Sequence, residues 1–125
     1  MTKLEWLAFL VAAALGAPAR YILDAVIQNR TAGQYPWGTF IVNITGSFAL
    51  GVLTGFGLYH GLTAAPRTVL GTGGLGAFTT FSTFGFETVR LAEQGALEAV
   101  VGNVVLTLAV GITAAAAGLG LAILV

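Results

Sequence analysis

No cysteine occurs in the chain, and His60 is its only histidine. Without thiols there is no disulfide framework and no thiolate chemistry. One histidine also leaves no ligand set for a Cys/His metal site. Charge is scarce: five basic and five acidic residues make up 8% of 125 positions, against about 25% in an average soluble domain. The two signs cancel, so no basic face invites a nucleic acid. No Gly-rich, Lys-containing phosphate loop is present. One histidine and a few peripheral acids cannot assemble a nucleophile, base and orienting group, which argues against an enzyme.

Hydrophobic residues fill the space, at 57% of the chain. A soluble fold of this size needs a polar surface that these residues cannot build, so lipid is the expected solvent. A bilayer core of roughly 30 Å takes about 20 apolar residues as a helix. The charged positions divide the chain into four such segments, near Leu4 to Ile27, Trp37 to Tyr59, Thr68 to Leu91 and Ala99 to Val125. Trp6, Tyr35, Trp37 and Tyr59 fall near span ends, where amphipathic rings favour the interface. The expectation is an all-α membrane protein of four transmembrane helices in a single domain. Ala17-Pro18-Ala19 after an apolar run resembles a leader-peptide cleavage site, but Glu5 and the proline speak against cleavage, and the first span is expected to stay.

Lysine and arginine do not choose an orientation. One side of a four-span chain carries Lys3 and Arg67; the other carries Arg30 and Arg90, with Arg20 near it. One orientation set by weak determinants is the plain reading. Dual topology, with copies inserted both ways, is the sharper one. Four helices pack solid, so a chain that moves a solute is expected to assemble. Two opposed copies would form an antiparallel dimer, the two-chain counterpart of the inverted repeats of transporters. Gly51 with Gly55, and Gly102, Ala109, Gly111 and Gly118, suit close helix approach.

Polar residues inside hydrocarbon are informative because they are costly. Thr39, Asn43 and Ser47 are spaced by four and share one face of the second span. Asn43 is either a hydrogen-bond tie between helices or an amide lining a path for an anion. In the third span, Gly71, Gly73, Gly74 and Gly76 fall within six residues. Such a tract makes a poor continuous helix, and non-helical backbone at membrane depth must be buried in protein or line a cavity. Two half-helices meeting near Gly73 to Thr79 are therefore expected. Carbonyls freed there can hold a cation, and the amides of the following half-helix favour an anion. Past the break, Thr79, Ser82 and Thr83 cluster on one face. Phe81 and Phe84 take the other, flanked by Phe78. The rings are either packing residues or edge-on contacts for a small anion, since ring edges carry partial positive charge. Loose contacts of that kind suit conduction.

Three segments carry a family resemblance: Gly16-Ala17-Pro18-Ala19-Arg20-Tyr21, Gly38 through Phe48 with its Val42-Asn43-Ile44-Thr45-Gly46-Ser47 core, and Gly73 through Phe84 ending in Thr79-Thr80-Phe81-Ser82-Thr83-Phe84. The chain resembles the Fluc (CrcB) fluoride channels over essentially its whole length. The resemblance implies an antiparallel, dual-topology homodimer with two fluoride pathways. It implies that Asn43 is the pore asparagine and that Phe81 and Phe84 face fluoride. It implies that the carbonyls of Gly76 and Thr79 from two subunits hold a central structural sodium. Arg20 matches a basic vestibule residue, although pairing with Asp24 one turn on explains it equally. Thr39, Ser82, Thr83 and Thr107 would add hydroxyls to the pathway. The family's Gly-Gly pair is replaced by Gly76-Ala77, which leaves the sodium register open.

The implied function is passive fluoride export across the plasma (inner) membrane, lowering cellular fluoride and its toxicity. Hydrogen fluoride enters neutral, dissociates and is trapped as an anion. An inside-negative potential drives that anion outward by about 2.3 kcal/mol per 100 mV, so neither ATP nor a coupled ion is needed. A small multidrug-type proton antiporter is the rival reading, but it calls for a carboxylate at membrane depth in the first span. Glu5 and Asp24 lie near the two ends of that span, and Glu87 borders the third. A non-transporting assembly subunit is a second rival, and it leaves the polar groups at depth unexplained.

Overall fold

The computed structural model describes residues 1–125 and is helical without strands. Helix α1 (Lys3–Arg30) begins at a capping box in which the Thr2 hydroxyl accepts from the Glu5 amide and the Glu5 carboxylate accepts from the Thr2 amide. Helix α2 (Trp37–Tyr59) follows a six-residue connection that Gln28 clamps. The Gln28 side-chain amide donates to the Tyr35 carbonyl at 3.3 Å and accepts from the Gly38 amide at 3.1 Å. The last helix, α6 (Leu97–Leu124), is as long as α1. These three helices are long and apolar enough to cross a membrane.

Residues 64–93 are built differently. A short α3 (Ala64–Arg67) leads into a π-helical segment, Thr68–Leu75, then one turn of α4 (Gly76–Phe78). Thr79 and Thr80 are extended, with φ −76°, ψ 159° and φ −148°, ψ 115°. Helix α5 (Phe81–Glu93) then begins. The glycine tract is thus not itself the break. It stays helical in wide turns, and the chain opens only at the two threonines. The reason is packing, which outweighs propensity here. A Cβ at Gly73 would press on Phe9, and a Cβ at Gly16 would collide with the Gly74 carbonyl, so α1 lies against this segment at backbone distance. Helical structure also begins four residues before the expected Thr68, and α5 runs two beyond Leu91.

Helices α2 and α6 form the tightest pair. The Ala115 carbonyl occupies the place of a Cβ on Gly51. The Phe48 carbonyl does the same at Gly118, and the Ala122 methyl at Gly55. Small residues allow this, and dispersion over a long interface rewards it. Helix α5 ends in a Schellman turn: Gly95, at φ 71°, donates to Ala92, and Ala96 donates to Leu91, both at 3.0 Å. That turn folds α6 back antiparallel to α5.

The interior is small. Only 13 of 125 residues are buried, and among the large apolar ones only Val42 and Leu91 are inside. Thr39, Thr80 and Asn103 are buried beside them. Leu4, Leu10, Leu15 and Ile22 of α1 face outward, as do Val101, Leu108 and Ile112 of α6. A chain with its polar groups inside and its leucines outside is one whose surroundings are apolar.

Candidate functional site

The break is held by one side chain. The Asn43 amide nitrogen donates to the Thr80 carbonyl at 2.9 Å, and its oxygen accepts from the Thr80 amide at 2.8 Å. Asn43 thus pairs with both polar groups of Thr80, as a neighbouring strand would. One of its two amide hydrogens stays uncommitted. The two alternatives for Asn43 are therefore not exclusive: the tie between helices exists, and a donor remains.

Thr80 does further work with its side chain. Its hydroxyl caps α5 by accepting from the Thr83 amide at 3.1 Å, donates to the Thr83 hydroxyl at 2.9 Å and lies 3.3 Å from the Ser82 hydroxyl. Two carbonyls lose their α-helical donors as a result. The Thr80 amide, which would have served Gly76, goes to Asn43. The Thr83 amide, which would have served Thr79, goes to the Thr80 hydroxyl. The Thr79 hydroxyl is spent on the Leu75 carbonyl at 2.9 Å, and its methyl lies over Gly46.

Two clefts flank the break. The first, of about 320 Å³, is lined by Asn43, Ser47, Phe81, Phe84 and Thr107, together with Gly76, Thr79 and Thr80. No charged side chain lines it. The rings of Phe81 and Phe84 lie 5.7 Å apart at 45°, and Phe81 is 84% exposed. The Thr107 hydroxyl is buried and has no hydrogen-bond partner. The second cleft, of about 200 Å³, is lined by Arg20, Tyr21, Asp24, Thr39, Thr80 and Thr83. Thr80 belongs to both.

The sequence-derived residues divide between these clefts. Asn43, Phe81, Phe84, Thr107, Gly76 and Thr79 come together in the first. Arg20, Thr39 and Thr83 come together in the second. Thr39, Asn43 and Ser47 do share a helix face, but that face passes the break, so Thr39 stands on the far side. There its hydroxyl donates to Glu87 at 3.1 Å. Ser82 is exposed and lines neither cleft. Phe78 departs from Phe81 and Phe84 and lines an apolar groove with Leu15 and Leu70. Arg20 and Asp24 both line the second cleft, but they form no ion pair there. Thr80 was not singled out by sequence reasoning, although a threonine directly before a helix start is a recognisable cap. Nothing in the sequence marked Asn103 or Glu87 as partners of Thr88 and Thr39.

Chemically, the residues lining the first cleft carry N–H and O–H donors, ring edges and carbonyl oxygens, groups that can replace part of an ion's water shell.

Residues 7–119 match the family described as "CrcB-like protein, Camphor Resistance (CrcB)". The "Fluoride-specific ion channel FluC 1" of Leifsonia xyli is 47% identical over 123 residues, covering 97% of this chain and 87% of that protein. The protein of the same name from Streptomyces avermitilis is 43% identical over 115 residues, covering 92% and 93%. The "Fluoride-specific ion channel FluC" of Acidobacterium capsulatum is 42% identical over 113 residues, covering 90% and 89%. With the match spanning nearly every helix and the whole of the Asn43–Thr80 break, this chain belongs to the CrcB-like family.

Proposed function

We propose that this protein is a fluoride-selective ion channel that exports fluoride passively across the plasma (inner) membrane and so lowers its concentration in the cell. The single observation that carries this reading is the uncharged cleft in which Asn43, Phe81, Phe84 and Thr107 meet beside the break. Its relatives' names support the choice of ion. Fluoride is small and strongly hydrated. A site that releases it must offer several weak donors and no fixed cation. The free hydrogen of Asn43, the unpartnered Thr107 hydroxyl and the edges of Phe81 and Phe84 are such donors. Thr83 and Arg20 would serve the ion on the other side of Thr80, where Arg20 raises its local concentration; Thr39 would join them only by releasing the proton it gives to Glu87. Ser82 would join only in the assembled protein.

In this reading the helices of residues 64–93 form a fourth, broken span, and two chains pair antiparallel in dual topology. The exposure of Phe81, at 84%, supports the pairing, because a ring meant for the pathway needs a second wall. Gly76 and Thr79 fit a sodium ion. Sodium takes oxygen ligands, and these are carbonyls whose helical donors are diverted. Two from each chain would hold the ion at the dimer centre, where it would supply positive charge that ties the two breaks together. Ala77 is small enough to leave that register intact. No carboxylate lines the first cleft, so proton coupling finds no carrier there.

The test is fluoride efflux from vesicles containing the purified protein, read with a fluoride electrode. Rapid efflux that is lost in Phe81→Ile, with dimerisation intact, is expected. Absence of efflux from the unmodified protein, or proton-linked exchange of an organic cation instead, overturns the proposal. Replacing sodium by a bulky organic cation is expected to weaken the dimer.

A further inference from the structure

Helix α5 carries the two phenylalanines, yet little apolar packing fixes its rotation. Leu91 is its one buried residue, while Phe81, Phe86 and Val89 are exposed. Polar contacts fix it instead. Asn43 holds Thr80 at its start, and Thr39 holds Glu87 two turns on. The third contact comes from α6. The Asn103 amide nitrogen donates to the Thr88 hydroxyl at 2.9 Å, and that hydroxyl donates to the Phe84 carbonyl at 2.7 Å. Asn103 is 1% exposed. The single Thr88 proton is committed to Phe84, so Thr88 can only accept from α6, and Asn103 must present its nitrogen.

This contact also sets a register. Helices α5 and α6 run antiparallel. One turn back from Thr88 is Phe84, and one turn on from Asn103 is Thr107. Those two residues both line the first cleft. The Asn103–Thr88 bond thus lies one helical turn from the place where Phe84 and Thr107 meet.

We propose that Asn103 is a positioning residue: through Thr88 it fixes the rotation and axial register of α5 on α6, and so places Phe84 against Thr107. The consequence for conduction rests on the fluoride-channel reading; the register itself does not.

Two experiments separate these. The chain has no cysteine, so a Phe84→Cys/Thr107→Cys pair can be crosslinked without background, using a short bifunctional thiol reagent in membranes. Crosslinking is expected to be fast with Asn103 present and about ten-fold slower in Asn103→Leu, the scale of one lost hydrogen bond of at most about 1.5 kcal/mol. Equal rates overturn the proposal whatever the protein conducts. Second, fluoride efflux and fluoride-over-chloride selectivity are compared in Asn103→Leu, Thr88→Val, the double variant and Thr88→Ser. Thr88→Ser keeps the hydroxyl and is expected to retain both properties. Each single change is expected to lower them about three- to ten-fold. The double variant removes donor and acceptor together, so its melting temperature is expected to recover while efflux stays low. Efflux that recovers with the melting temperature means Asn103 is only a packing residue, and the proposal fails. If the unmodified protein does not pass fluoride but crosslinking still depends on Asn103, the channel reading fails and the register assignment stands.

Discussion

The side chain of Asn43 and the peptide of Thr80 form two mutual hydrogen bonds, 2.9 Å and 2.8 Å, across 37 residues of sequence. This pair converts an interruption in a helix, which would leave bare backbone at membrane depth, into a satisfied and fixed structure. Asn43→Ala removes both partners at once. It is expected to cost about 1–3 kcal/mol of stability and to abolish fluoride efflux. Thermal unfolding in detergent and electrode-monitored efflux from vesicles measure the two effects.

Thr107 separates function from stability more cleanly. Its hydroxyl is buried and unpartnered, so the folded chain gains nothing from it. Thr107→Val keeps the shape and is expected to leave stability unchanged or raise it by up to about 1 kcal/mol. If the hydroxyl serves the permeating ion, efflux falls in the same variant. A melting temperature that drops together with efflux would show that the hydroxyl has a structural partner instead.

Gly118 faces the Phe48 carbonyl and the Val52 amide so closely that no side chain fits between them. Gly118→Leu is expected to cost about 3 kcal/mol or more through overpacking. The loss should appear as poor recovery of folded protein and early thermal aggregation. Gly120, one turn fragment away, has open space around it. Gly120→Ala should be tolerated, and helix propensity favours it by about 1 kcal/mol.

Tyr35, in the connection before α2, gives a pH dependence. Burial of its hydroxyl pushes the phenol pKa above its ordinary 10.0. Folding therefore favours the protonated ring. That contribution is complete below about pH 10 and is lost as pH rises through the raised value. Tyr35→Phe removes the titration, so the variant is expected to lose less stability than the parent on going from about pH 8 to about pH 11. Parallel melting curves over that range measure the difference.

The sequence made some of this architecture legible and hid the rest for physical reasons. Charges are so few that their positions nearly mark the helix ends, and α2 begins and ends where Trp37 and Tyr59 suggest. The glycines of Gly71 to Gly76 led to an expected break near Gly73 to Thr79, yet that tract stays helical and the chain opens only at Thr79 and Thr80. That position was not legible, because it depends on α1 supporting the glycines and on Asn43 reaching over from α2. A three-residue spacing placed Phe81 and Phe84 on one face, and the structure keeps them together. The same reasoning grouped Thr39 with Asn43 but could not see the break passing between them. Asn103 was unreadable for a similar cause: a lone asparagine in an apolar helix says that a partner exists and not which one it is.

The interlocked carbonyls of α2 and α6 have a consequence for how such a protein can diversify. Where main chain fills the place of side chains at Gly51 and Gly118, almost any replacement is excluded. Helix α5 is tied on by a few polar contacts and mostly bare outside, so its outward positions, such as Phe86 and Val89, can accept new residues at little cost to the fold of the single chain. A lineage tuning what it lets through would leave the two-helix slab alone and experiment on the helix that leans against it.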